Sequence, residues 1–161
     1  MRRLILLAAV AALFLVTLPV ASAVAAPPER VDFVGDAFFA GPNAGTGNFI
    51  ATGPARDSGA ICESGDTADL FTNTHTTPKG VNLKILKEFT CDDGTGTFQV
   101  KLQVQIPSEQ LSTFRWVVVG GTGDYEDLKG NGSGFAVAWL PSGSDFSTAN
   151  GVVDVYEGKL H

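Results

Sequence analysis

The chain has 161 residues, 44% of them hydrophobic and 17% charged, with a formal net charge of −6. Beyond residue 26 the balance is more acidic still, because the only charges before it are Arg2 and Arg3. That excludes the basic footprint needed for nucleic acid or for an anionic membrane as a partner. The two histidines, His75 and His161, add too few ligands to two cysteines for a metal site, and no cofactor loop is present, so neither metal nor cofactor is expected.

In chain order the first element is not part of the fold. Arg2 and Arg3 precede an apolar run from Leu4 to Leu18, Pro19 breaks it, and Ala21-Ser22-Ala23 and Ala23-Val24-Ala25 supply the small residues of a cleavage site. This is the pattern of a signal peptide over residues 1–26. The apolar run is short for a membrane span of about 20 residues, which is the competing reading. Export leaves residues 27–161 as one secreted domain. In an exported chain the even pair Cys62 and Cys91 reads as a disulfide.

Strand patterns then dominate. PPER, residues 27–30, reads as a loose tail. RVDFVGDAFFA offers Val31, Phe33 and Phe38 as core candidates, and GNFIATG is a short strand between glycines. GAICES and ADLFTNT are weaker strands. VNLKILKEFTC alternates at Val81, Leu83 and Ile85 and reads as changing phase toward Phe89 and Cys91, which suggests a bulge. FQVKLQVQI is the clearest strand: Phe98, Val100, Leu102, Val104 and Ile106 share one face, and Gln99, Lys101, Gln103 and Gln105 the other. PSEQLS offers one helical turn opened by Pro107. FRWVVV puts Phe114, Trp116 and Val118 on one face, GFAVAWL does so with Phe135, Val137 and Trp139, and GVVDVYEGKL closes the series. With about eight strands at even spacing, the expected fold is all-β, an eight-stranded antiparallel barrel, with a β-sandwich as the alternative.

The segment VVVGGTGDYEDLKGNGSG, residues 117–134, invites several readings. A phosphate loop would need GxxxxGK[ST] before a helix, and here a strand follows Lys129. Asp124, Glu126, Asp127 and Asn131 could donate oxygens to calcium, but the alternating ligand pattern with a closing glutamate is missing. Asp92-Asp93-Gly94 is first of all a turn. A structured strand-to-strand connection accounts for more: Gly120, Gly121 and Gly123 allow positive φ or close backbone approach, Tyr125 and Leu128 fold back onto the sheet, and Gly130 restarts the next strand.

This segment resembles the signature of the dirigent and allene oxide cyclase group of barrels. There a strand carrying an aromatic residue runs into V-V-G-G-T-G, then an aromatic, a basic residue and glycine. The matching residues are Trp116, Val118, Val119, Gly120, Gly121, Thr122, Gly123, Tyr125, Lys129 and Gly130. The closing VVDVYEGKLH is similar to the last strand of that group. The resemblance spans roughly 25 residues and implies an eight-stranded barrel with a central apolar cavity, often assembled as a homo-oligomer. It carries no catalytic residue onto this chain.

No nucleophile motif is found, since Ser133 follows Asn131 where GxSxG needs glycine. His75 sits in a threonine-rich polar stretch. Charges inside strands are the remaining signal: Asp32, Glu63, Arg115 and Asp154 interrupt apolar runs, and alternation sends most of them to water. Glu63 and Arg115 are the candidates for polar groups facing a cavity. The functional expectation is a secreted, non-catalytic barrel that binds a small apolar ligand or a partner. The alternatives are a cyclase- or isomerase-like enzyme acting in the barrel, and a solidly packed surface or interaction protein.

Overall fold

Eight strands follow one another around a closed antiparallel barrel in chain order, each hydrogen-bonded to the next and the last to the first. The structure, a computed structural model, describes residues 27–41, 44–107, 111–139 and 150–161. The expected signal peptide, residues 1–26, and residues 108–110 of PSEQLS, where a helical turn was expected, lie outside the described residues. The strands are β1 Glu29–Gly41, β2 Ala44–Thr52, β3 Ser64–Thr77, β4 Gly80–Cys91, β5 Thr97–Pro107, β6 Ser112–Gly121, β7 Gly130–Trp139 and β8 Gly151–Leu160. A one-turn helix, α1 Pro54–Asp57, interrupts the connection from β2 to β3. The seam between β1 and β8 runs in unbroken register from Glu29 opposite Leu160 to Phe38 opposite Gly151.

Alternation sets which side chains fill the barrel. On β5, Phe98, Val100, Leu102 and Val104 are buried, and on β6, Phe114, Trp116 and Val118 are, as the pattern predicts. Rings from six strands meet in the barrel interior. Phe33 lies 5.2 Å from Tyr156 and 5.5 Å from Trp116, and Phe89 stacks on Phe98 at 4.7 Å. Burying each such ring is worth about 1.5–3 kcal/mol as an upper estimate, and tilted and edge-on pairs add to it. The room for Trp116 comes from glycine on the neighbouring strands: a Cβ on Gly132 or Gly158 would fall within 2.7 Å and 2.3 Å of its ring.

Several local expectations are corrected. PPER is not a tail throughout, because Glu29 and Arg30 already pair in β1. Phe38 lies 46% exposed, and Ala37 takes the inward position. Of GAICES only Ser64 belongs to a strand, as the first residue of β3; residues 59–63 follow α1 as a turn that brings Ile61 and Cys62 into the core. On β7 the face of Phe135 and Val137 is the outer one, since the inner positions must be small opposite Trp116 and Phe114. β4 has no bulge. Val81, Leu83, Ile85, Lys87, Phe89 and Cys91 hold one parity, and the irregularity lies in the partner strand β3, between Asp69 and Phe71.

The two ends of the barrel are built differently. At one end Ala55 and Ile61 cover the interior, Cys62 is bonded to Cys91 with a Cα–Cα distance of 5.9 Å, and Tyr125 and Leu128 close over β5 and β6. The backbones of Lys129 and His161 exchange two hydrogen bonds there. Toward the other end, past the aromatic rings, the inward residues include Ala37, Asp69, Lys87, Ser112, Ala136 and Asp154, with Leu83, Ile85, Ile106 and Val152 half-buried beside them.

Candidate functional site

Four polar side chains converge in that second region. Asp69 on β3 and Lys87 on β4 are direct cross-strand partners. Asp154 and Tyr156 share the inner face of β8, two residues apart. The Lys87 Nζ lies 3.1 Å from Asp69 Oδ1 and 3.5 Å from Asp154 Oδ2, and the Tyr156 hydroxyl donates to Asp154 Oδ2 at 3.2 Å. The side chains of Lys87, Asp69 and Asp154 keep 3%, 6% and 10% of their exposure. Asp69 Oδ2 occupies the space that a Cβ on Gly45 would need, at 2.4 Å, so the absence of a side chain at 45 seats this carboxyl. Asp69 Oδ1 is close to the ammonium but outside hydrogen-bond angles, and it accepts no hydrogen bond.

The electrostatics are unbalanced: one cation faces two carboxyls. Taking charge out of water is costly, and a single lysine can compensate only one carboxylate fully. Burial raises the Asp154 carboxyl above its ordinary value, against the attraction of Lys87, and the neighbouring Asp69 adds to the rise. Burial also raises the Tyr156 phenol well above its ordinary value, and the charges of Asp154 and Asp69 push the same way. Tyr156 is therefore a neutral donor, and Asp154 is the group in the cluster best placed to hold and release a proton.

A second feature lies on the outside. Ile50, Val34, Val155 and Phe135 stand in direct register across β2, β1, β8 and β7. Ile50 is 60% exposed and Val34 50%, and Val137 and Val153 extend the patch along β7 and β8. The next outward row is polar: Asp32, Glu157 and Ser133 are in register, and Arg30 pairs with Asp32 at 3.1 Å.

The residues singled out in the sequence fall elsewhere. Arg115 is exposed on the outer face of β6, where alternation between Phe114 and Trp116 must put it. Glu63 is exposed just before β3 and pairs with Arg56. Neither faces the interior. The glycine-rich connection is a structural plug. A Cβ on Gly121 would lie 2.3 Å from the Tyr125 carbonyl oxygen and 2.8 Å from that of Thr97, and Gly123 has a φ of +61°. Gly120 meets nothing within 4 Å, so only part of the motif is sterically required. The Thr122 hydroxyl accepts from the Thr97 amide at 3.1 Å, the hydroxyls of Tyr125 and Thr95 share a bond at 2.8 Å, and a Cβ on Gly130 would strike Leu160. Asp124, Glu126 and Asp127 are exposed, and Asp93 accepts from the amide and hydroxyl of Thr95, closing the turn. His75 is exposed on β3. Among the described residues, no group of three or more His, Cys, Asp or Glu is arranged to hold a metal.

Lys87 and Asp69 are the residues that sequence reasoning missed, and Asp154, noted there as a charge inside a strand, was passed over in favour of Glu63 and Arg115; a signal existed for Lys87 and Asp154. Strict alternation from Val81 to Cys91 carries Lys87 inward. On β8, the polar pair Glu157 and Lys159 marks the outer parity, which leaves Asp154 with Tyr156 and Leu160. No family model, no curated protein and no solved structure matches this chain.

Proposed function

We propose that the protein is an exported, non-catalytic binding module that works through the outer wall of its barrel, and that the wall made by β2, β1, β8 and β7 receives a second copy of the chain. The observation that carries this reading is the in-register apolar row of Ile50, Val34, Val155 and Phe135, a contiguous row where single scattered apolar residues would call for no explanation. Two further features support it. Contacting rings occupy the barrel axis, where a small apolar ligand would otherwise sit, and the resemblance to the dirigent and allene oxide cyclase group carries an expectation of oligomers. The signal-like segment and the disulfide support export.

Native mass spectrometry and light scattering on the secreted protein test this. A dimer or higher homo-oligomer is expected, and Val34→Asp or Ile50→Lys should dissociate it while the melting temperature of the barrel changes little. A wild-type protein that stays monomeric at every concentration would overturn self-association. A discrete small molecule carried through native purification would replace this reading with ligand binding.

One observation favours a cyclase- or isomerase-like alternative: Asp154 is an inward carboxyl raised by burial, which is the direction a general acid needs. The low exposure of the whole cluster weighs against a substrate reaching it.

A further inference from the structure

The buried cluster has the parts of a condensation reaction that needs no outside reagent. An amine and a carboxyl face each other across paired strands, Lys87 Nζ and Asp69 Oδ1 being 3.1 Å apart, and both side chains are more than nine-tenths buried. Asp69 is seated against Gly45, and its Oδ1 lies beside the ammonium without accepting a hydrogen bond. A second carboxyl, Asp154, lies 3.5 Å from the same amine and is held there by the Tyr156 hydroxyl. Fixed partners at about 3–3.5 Å in a dry setting reach very high effective concentrations.

We infer that Lys87 and Asp69 join in an intramolecular isopeptide bond, with Asp154 as the proton carrier. The balance closes without an oxidant, a reductant or a cofactor. The Lys87 ammonium passes one proton to the Asp154 carboxylate and attacks the Asp69 carboxyl carbon as a neutral amine, forming the C–N bond. The second proton of the nitrogen follows the first through Asp154. Both protons end on the departing Asp69 oxygen, which leaves as water when the C–O bond breaks, and Asp154 returns to its starting state. Burial raises the Asp154 carboxyl, which suits a group that must accept a proton and return it. The product replaces a desolvated ion pair with a neutral amide, which removes the cost of keeping two charges in the core.

The bond would tie β3 to β4 inside the ring already closed by Cys62, in the turn before β3, and Cys91 at the end of β4. That coincidence supplies a clean test on the full secreted chain. Trypsin cuts after Arg56, Lys79, Lys84, Lys87 and Lys101, so residues 57–79 carry both Cys62 and Asp69, and residues 85–101 carry both Lys87 and Cys91. After complete reduction and denaturation, the expected digest retains 57–79 joined to 85–101 as one species, lighter than the two together by one water, with no cleavage at Lys87. Release of residues 85–87, 88–101 and 57–79 as separate unmodified peptides overturns the proposal. Asp154→Asn keeps the Lys87 and Asp69 pair and restores a one-to-one charge balance, so the variant is expected to fold, with an unchanged β circular dichroism spectrum, yet to show the full unlinked mass. A variant that loses water as completely as the wild type would overturn the role given to Asp154.

Discussion

The two halves of the barrel solve the problem of a small interior in opposite ways. The plugged half is filled by rings in mutual contact, covered by α1 and the glycine-rich connection, and stapled by Cys62–Cys91. The other half holds charge: a lysine, two carboxyls and a phenol, with small residues such as Ala37 and Ala136 around them. The contrast teaches that a closed barrel does not need a uniform core. Apolar filling provides most of the stability at one end. At the other, a set of groups costly to bury is held in one geometry, which is an arrangement that favours chemistry or specificity over stability.

That contrast can be tested by substitution. The largest effect is expected in the ring layer, where Phe98→Ala should cost about 3–5 kcal/mol in chemical denaturation. A smaller loss there would mean the rings are less central than their contacts imply. Next comes the staple. Reducing Cys62–Cys91 should remove about 3.5 kcal/mol and lower the melting temperature by about 10 °C, given the 29-residue separation. The plug itself is probed by a pair of neighbours. Gly121→Val should lose at least about 2 kcal/mol, because its Cβ would overlap two carbonyl oxygens. Gly120→Ala should stay within about 0.5 kcal/mol, having open space around it. Equal effects at the two positions would dissolve the steric account of the motif.

The smallest effect tests the charged half through pH. The folded Asp154 carboxyl is raised by burial, so the unfolded chain releases that proton more readily. This group's contribution to stability is fully present below the ordinary aspartate value of about 4 and is lost as pH rises through the higher folded value. Asp154→Asn should therefore gain on the wild type as pH climbs from about 4, in denaturation curves measured across that range. A constant difference would show that folding does not raise the Asp154 carboxyl.

Much of the fold was legible because period-two alternation is a local signal. Phe98 to Val104 and Phe114 to Val118 declare their buried face without reference to any partner. The disulfide followed from the expectation of export and the even number of cysteines. The candidate cluster was harder to read, because its members look like exceptions. Lys87 inside an apolar run invites a change of phase as the explanation, and a bulge was expected in β4 when the irregularity belongs to β3. Phe135 and Val137 misled in the converse way: apolar residues on β7 face outward because glycine must face Trp116 and Phe114. Which strands meet across the barrel is long-range information, and it decides both cases.

The seam between β1 and β8 has a mechanical consequence. Glu29 and Leu160 sit side by side, so the chain enters and leaves the barrel at the same end. A pull applied through these two points loads the antiparallel pair from one end, and its hydrogen bonds break in succession instead of together. The cross-link between Cys62 and Cys91 joins the turn before β3 to the end of β4 and carries none of that load at the start. Under tension the barrel would peel open along β1 and β8 while β3, β4 and β5 remained joined. Its resistance to heat and its resistance to force are set by different residues.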